Sequence, residues 1–163
     1  MLKSFAAIAI VFAVPLSAAS AEQVASAEHI STALSACLDA TSGSGIDEAK
    51  LGAAGFAPGT IESNGKTVET PLRIFGQPKN PAMIVTMRAP RPACSVTSRI
   101  PSFKRYPGIA EAISRAVQSQ PIKQEGNEFF WRRGDLIIQL AATGSQQKPS
   151  IRAGIVAVHG EKK

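Results

Sequence analysis

Apolar and polar residues follow two different periods along this chain, and these periods predict its helices and strands. Helical spacing of apolar residues runs through residues 23–41 and resumes at Pro107, a residue type that suits the first turn of a helix. A short helical turn is predicted after Asp47, whose carboxylate can cap backbone N–H groups. The two main stripes consist of Ile30, Leu34, Cys37 and Leu38 in the first helix and of Ile109, Ile113 and Val117 in the second.

Between and after the two helices, apolar residues alternate with polar ones, as they do in half-buried strands. Residues 57–66 are rich in Gly, Pro, Ser and Asn and are expected to form a loop. Short links, such as the turn at Gly134, favour antiparallel neighbours. We therefore predict one α+β domain in the order α-βββ-α-βββ, with an antiparallel sheet of about five to six strands and both helices on one face. The predicted strands cover residues 68–75, 82–89, 93–100, 128–132, 135–142 and 151–158.

The N-terminal segment has the three-part pattern of a secretory signal peptide. A positive charge precedes an apolar run from Phe5 to Leu16, and Ala19 and Ala21 form a small-residue cleavage site. The run has about a dozen residues, whereas a membrane-spanning helix needs roughly 20. We expect cleavage after Ala21 to remove residues 1–21 and to leave a mature domain, residues 22–163, in the periplasm or outside the cell. The sequence predicts neither a transmembrane segment nor a lipid anchor in that mature domain.

Cys37 and Cys94 are the two cysteines of the chain, and export would take them to an oxidising compartment. Their wide separation differs from the C-x-x-C pair of redox proteins. Cys37 falls on the apolar stripe of the first helix and Cys94 alternates with polar neighbours in a strand, so both sulfur atoms should point to the core. The sequence therefore predicts a structural disulfide. The alternative is a reactive nucleophile, which would need His29 or His159 as a base.

A long basic stretch is the most unusual charge feature of the chain, whose formal net charge is +6. No acidic residue lies between Glu69 and Glu111. If the basic side chains converge, they form a site for an anionic partner such as an acidic protein, a phospholipid or another envelope polymer; a solvated basic face is the alternative. Export makes nucleic acid the weaker candidate partner. The basic residues are Arg73, Lys79, Arg88, Arg91, Arg99, Lys104 and Arg105.

Phe129, Phe130 and Trp131 form the densest aromatic cluster of the sequence. On a strand, Phe130 points to one face and the pair Phe129 and Trp131 to the other, so one side should enter the core. Aromatic side chains next to arginines are typical of binding hot spots. We therefore hypothesise an aromatic partner contact through Phe129 and Trp131, with core packing as the alternative.

Residue patterns with known chemistry are missing from the sequence. The two histidines belong to no group with metal-ligand spacing. The sequence has no nucleophile elbow and no glycine motif that binds phosphates. Arg133, Gly134 and Asp135 spell an adhesion tripeptide, but turn chemistry explains these residues equally well. The sequence thus predicts no catalytic residue, no metal and no cofactor.

Two functions from different classes fit these observations. The first, which the sequence favours, is an exported, non-catalytic binding or accessory protein of the bacterial cell envelope that recognises a protein or an anionic envelope component. The alternative is a small apolar-ligand carrier, or an enzyme whose site is assembled from dispersed residues. A deep pocket between sheet and helices would favour the alternative, whereas a flat basic or aromatic patch would favour the binding protein.

Overall fold

The computed structural model describes residues 23–64, 66–88 and 91–158, which form one antiparallel sheet with helices packed against it. The predicted signal peptide, residues 1–21, and His159 lie outside the described residues. Three α-helices are described, α1 (Ala27–Ala40), α2 (Glu48–Ala53) and α3 (Tyr106–Val117), and a short 3-10 helix, Phe103–Arg105, directly precedes α3. The main sheet has eight strands: β1 (Ala57–Gly59), β2 (Leu72–Gln77), β3 (Asn80–Met87), β4 (Ala93–Arg99), β5 (Lys123–Glu125), β6 (Glu128–Arg133), β7 (Leu136–Gly144) and β8 (Pro149–Ala157). None of the described helices is both long enough and apolar enough to cross a membrane.

The strands are arranged in the order β1-β2-β3-β4-β8-β7-β6-β5, with antiparallel pairing throughout. This confirms the predicted α+β fold with a large antiparallel sheet, but the expected number of about five to six strands was too low, since the sheet has eight. The two additional strands, β1 and β5, lie at opposite edges, and each is three residues long and exposed throughout. An exposed edge strand lacks apolar alternation, so its sequence resembles that of a loop.

Each half of the chain has the same architecture: one long helix, α1 or α3, is followed by four strands of the main sheet. The predicted order had three strands in each half and therefore fits only roughly. The last strands of the two halves, β4 and β8, pair in the middle of the sheet, from Ala93 opposite Val156 to Arg99 opposite Ser150. This central pair joins both halves into one sheet. Two small hairpins, Thr41–Ser42 with Gly45–Ile46 and Glu62–Ser63 with Lys66–Thr67, lie outside it.

Helix α1 begins at Ala27, later than the predicted start at residue 23, because Ser26 caps it. The Ser26 hydroxyl accepts from the backbone N–H of His29 at 3.2 Å, and His29 Nδ1 accepts from the backbone N–H of Ser26 at 3.3 Å. This capping box pairs two backbone donors that the helix itself cannot satisfy. Asp47 caps α2 as predicted, since its carboxylate accepts from the backbone N–H of Ala49 at 3.1 Å.

Both main helices pack on the same face of the sheet, here called the helix-covered face. Cross-strand partners share a face, so one buried row can be followed over five strands. That row consists of Thr86, Cys94, Ile155, Ile138 and Trp131. The Cys37–Cys94 disulfide attaches α1 to this row, which confirms the predicted bond. Helix α3 is attached by the Trp131 indole N–H, which donates to Ser114 Oγ at 3.0 Å.

Candidate partner-binding surface

The opposite face of the sheet, here called the open face, is covered by none of the described helices. Four of its large apolar side chains, Leu72, Met83, Val156 and Val158, are between 36% and 42% exposed. A contiguous apolar patch on the surface of a monomer commonly marks an interaction site. The half-buried apolar side chains that complete the patch are Ile74, Val85, Met87, Ala93, Phe130 and Ile137.

Small residues follow one another along β4 in the middle of the open face, and this strip is here called the groove. Large side chains of β3 border it on one side, and on the other side Arg152 and Val156 of β8 flank Gly154. Strands β3 and β8 are two strand spacings apart, so these borders are separated by about 10 Å. The floor of the groove consists of Ala93, Ser95, Thr97 and Gly154, and its β3 border consists of Met83, Val85 and Met87.

Gly154 lies at the centre of the groove floor, between Ser95 on β4 and Gln139 on β7. It is not among the glycines with a positive φ angle, and a Cβ atom at this position would meet nothing within 4 Å. Glycine weakens the interior of a strand and often marks a place where another molecule approaches the backbone closely. Neither the backbone conformation nor the packing of the described residues therefore accounts for glycine here.

The basic residues selected from the sequence are divided between the two ends of the sheet. The two ends are joined by β4, whose seven residues extend over about 20 Å. The basic stretch therefore does not form one surface. Arg73, Arg88 and Arg91 lie at the end where β3 stops and β4 begins, and Lys79, Arg99, Lys104 and Arg105 lie at the other end.

Two of the three arginines at the first end are held by Glu48. Arg88 binds this carboxylate through two hydrogen bonds, Nε to Oε1 at 3.2 Å and Nη2 to Oε2 at 2.7 Å. Arg73 Nη1 lies 3.1 Å from Glu48 Oε2, and its guanidinium lies 5.9 Å from the centre of the Phe75 ring. Because Glu48 belongs to α2, this cluster lies on the helix-covered side, where it attaches α2 to β2 and β3. It does not contribute a basic surface to the open face.

Three other arginines lie on the open face or at its end. Arg152 lies two residues before Gly154 on β8 and points to the same face. Arg132 lies on the open face opposite Ile137. Arg91 lines an open cleft of about 400 Å³ together with Val156 and other residues of the strand ends. Within the described part of the chain, none of these three arginines forms an ion pair. Of the basic residues selected from the sequence, Arg91 and Arg99 therefore lie at the two ends of the groove, whereas sequence reasoning missed Arg132 and Arg152 on the open face.

The aromatic cluster is divided between the two faces of the sheet. Trp131 is fully buried, and the Phe129 ring packs 6.0 Å from it and 5.8 Å from the Tyr106 ring. Core packing, the alternative to a partner contact, therefore accounts for Trp131 and for half-buried Phe129. Phe130 points to the open face, and the strand alternation already contained the signal for this residue.

The adhesion tripeptide lies in the tight turn between β6 and β7. Gly134 has a φ of 58°, the left-handed conformation that such a turn requires, and its carbonyl accepts from Arg132 Nε at 3.0 Å. Turn geometry therefore accounts for the glycine.

Tyr106, the single tyrosine of the sequence, is the titratable group most changed by its surroundings. Its hydroxyl lies 2.5 Å from the Asn127 carbonyl oxygen and 3.1 Å from that of Leu140. Burial, and to a smaller extent the Glu128 carboxylate, raises the pKa of Tyr106 to about 12. The phenol therefore remains protonated at neutral pH and attaches α3 to the second half of the sheet.

The remaining surfaces of the described residues offer less to a partner. They contain no group of three His, Cys, Asp or Glu residues that could hold a metal ion. Their surface clefts, with volumes of 340 to 490 Å³, are open to solvent, and those next to α1 and α3 are lined by helix and loop residues rather than by the sheet. Both sheet edges are protected against strand addition, β1 by Pro58 and β5 by the Lys123–Glu125 ion pair.

Comparison with protein-family models, with curated proteins and with solved structures gave no match to this chain. The geometry of the open face is therefore the basis for a functional proposal.

Proposed function

We propose that this chain is an exported, non-catalytic binding or accessory protein of the bacterial cell envelope, which recognises a protein partner through the open face of its sheet. The observation that carries the proposal is the contrast between a complete core on one face and an uncovered apolar patch on the other. Side chains such as Met83 and Val156, at 39% and 42% exposure, lie on the face of the sheet that none of the described helices covers. Covering them with a second protein would remove that apolar area from water.

A protein partner fits the open face better than a polyanion does. A polymer or membrane surface with many negative charges would be matched by a continuous basic surface, whereas here the basic residues lie at two ends about 20 Å apart. Arg73 and Arg88 are, moreover, neutralised in part by Glu48. The arginines that border the groove instead resemble the charged rim of a protein interface around an apolar centre.

Export is the second part of the proposal. The signal-peptide pattern of residues 1–21 supports it, and the Cys37–Cys94 disulfide is compatible with an oxidising compartment. Mass spectrometry of the protein recovered from the envelope fraction should give Glu22 as the first residue. Recovery of the intact chain from the cytoplasm, with reduced thiols, would contradict this part.

Affinity capture from an envelope extract tests the binding function. The protein should retain a partner whose elution depends on salt, because arginines border the groove. The double variant Arg91→Glu/Arg152→Glu should lose that partner. The matched control is Lys104→Glu/Arg105→Glu, which makes the same change in charge in the 3-10 helix after β4 and should retain it. Equal retention by both double variants would contradict recognition through the open face.

A further inference from the structure

We infer that the cleft beside Arg91 binds the last residue of the partner chain, an apolar residue that carries the free C-terminal carboxylate. This inference rests on the proposed function, because it names the part of a protein partner that the end of the open face would recognise. Two properties of the cleft lead to it: its apolar walls and its single charged side chain.

The cleft lies at the end of the sheet where β8 stops and β4 begins. Its volume of about 400 Å³ falls in the size range of small-ligand sites, and it is more enclosed than the clefts next to α1 and α3. Val156 and Val158, 42% and 36% exposed, supply much of its apolar wall. An apolar side chain seated there would remove this area from water. The lining residues are Gly43, Arg91, Pro92, Val156, Ala157 and Val158.

The walls of the cleft are held in place by the surrounding fold. Gly43 belongs to the turn of the small hairpin that follows α1, and the disulfide attaches α1 to β4. Pro92 lies two residues before Cys94 on that strand, and its ring restricts the backbone there. On the opposite side, the backbone N–H of Val158 donates to the Asp135 carbonyl oxygen at 2.8 Å. The cleft is therefore formed in the absence of a ligand, which lowers the cost of binding.

Arg91 determines the charge that the cleft accepts, because no other charged residue lines it. The other two arginines at this end of the sheet, Arg73 and Arg88, bind Glu48. Within the described ranges, Arg91 has no such carboxylate partner. A guanidinium binds one carboxylate through two parallel hydrogen bonds. The cleft therefore matches a ligand with a single carboxylate next to an apolar group.

The C-terminal residue of a protein has this chemistry, since its carboxylate and its side chain are bonded to the same carbon atom. Capture of a C-terminal carboxylate is a recurring mode of peptide recognition. An internal aspartate or glutamate would pair with Arg91 but would bring no apolar side chain of its own to the walls. Val156 belongs both to the cleft and to the apolar patch of the open face. A partner that lies on the open face can therefore end in the cleft.

The inference can be tested with a small probe before the natural partner is known. N-acetyl-leucine reproduces an apolar C-terminal residue together with the amide group that precedes it. Titrated into the purified, isotope-labelled protein, it should shift the backbone amide signals of Gly43, Val156 and Val158 in two-dimensional NMR spectra. N-acetyl-leucinamide lacks the carboxylate and N-acetylserine lacks the apolar side chain. Each should bind at least about fivefold more weakly than N-acetyl-leucine.

The decisive variant is Arg91→Gln, which keeps a polar side chain but removes the charge. It should bind N-acetyl-leucine and N-acetyl-leucinamide equally, because its preference for the carboxylate is lost. The matched control is Arg132→Gln, the same substitution on the open face at a residue that does not line the cleft. This control should keep the preference of the unchanged protein. Both arginines are exposed, so the melting temperature should stay the same in both variants.

Three results would overturn the inference. The first is that neither N-acetyl-leucine nor its amide shifts the signals of the cleft, and the second is that Arg91→Gln keeps the preference for the carboxylate. The third is that octanoate binds more than about tenfold tighter than N-acetyl-leucine, since a free amphiphile would then be the ligand.

Capture from the envelope extract tests the proposed function separately. If the cleft binds no probe although the envelope partner is still captured, the binding function stands and the C-terminal anchor does not. If the cleft binds N-acetyl-leucine but no envelope partner is captured, the carboxylate site stands and the proposed function does not.

Discussion

The two faces of the sheet are formed by the same strands, yet their apolar side chains have different surroundings. On β8, Ile155 points to the helices and is fully buried, whereas the next residue, Val156, points away and is 42% exposed. Packing within the chain explains why an apolar residue is present at Ile155, but it explains the apolar residue at Val156 less well. A half-exposed apolar side chain therefore indicates a binding surface only if the folded chain itself does not cover it. None of the described helices covers the open face.

Removal of the disulfide should produce the largest loss of stability, since it attaches α1 to the helix-covered face. The double variant Cys37→Ala/Cys94→Ala releases a loop that spans 57 positions. In the chain-entropy account, this loop closure stabilises the fold by about 4 kcal/mol. Urea denaturation of the variant and of the unchanged protein measures the difference. A loss below about 1 kcal/mol would show that packing alone holds α1 to β4.

Neighbouring substitutions on β8 test the contrast between the faces within a single strand. Ile155→Ala should lower the free energy of unfolding by about 3 kcal/mol, because it leaves a cavity in a fully packed site. Val156→Ala should lower it by less than about 1 kcal/mol, because the side chain is already partly in water. The same denaturation experiment measures both. Similar losses in the two variants would mean that the open face is covered in the folded protein.

A smaller effect is expected from Tyr106, which lies on the helix-covered side between α3 and the strands. Its pKa is raised from 10.0 to about 12, so the folded state holds the proton more tightly than the unfolded state does. The resulting stability is complete below pH 10 and is lost as the pH rises toward 12. Ultraviolet titration of this single tyrosine should show the raised pKa directly. In Tyr106→Phe the loss of stability between these pH values should be shallower, and an identical slope would contradict burial of the phenol.

The interior of the fold was predictable because buried strands and helices leave regular apolar periods. The stripe through Cys37 and the alternation around Cys94 were sufficient to predict the disulfide, since each pattern alone directs a sulfur atom inward. The edge strands β1 and β5 were not predictable in the same way, because exposed strands carry no such pattern. Their pairing depends on the neighbouring strand rather than on their own residues.

The candidate surface was predicted less completely than the fold. The basic stretch is continuous in sequence but lies on β2, β3, β4 and the turn after them, so the geometry of the sheet separates its charges. Arg132 and Arg152 lie on the open face although they are far from that stretch in sequence. Gly154 was visible as a glycine inside a predicted strand, but its significance depends on the absence of any atom near its Cβ position.

Methionine oxidation offers the most direct test of a partner on the open face. The sequence has three methionines, of which Met83 and Met87 lie on the open face and Met1 belongs to the predicted signal peptide. A brief pulse of dilute hydrogen peroxide, followed by peptide mass spectrometry, can compare intact cells with the purified protein. A bound partner predicts that both methionines oxidise more slowly in cells than in the purified protein, and that Arg91→Glu/Arg152→Glu removes this protection. Equal oxidation rates, with peroxide exposure calibrated by an exposed methionine on an added reporter protein, would contradict the account.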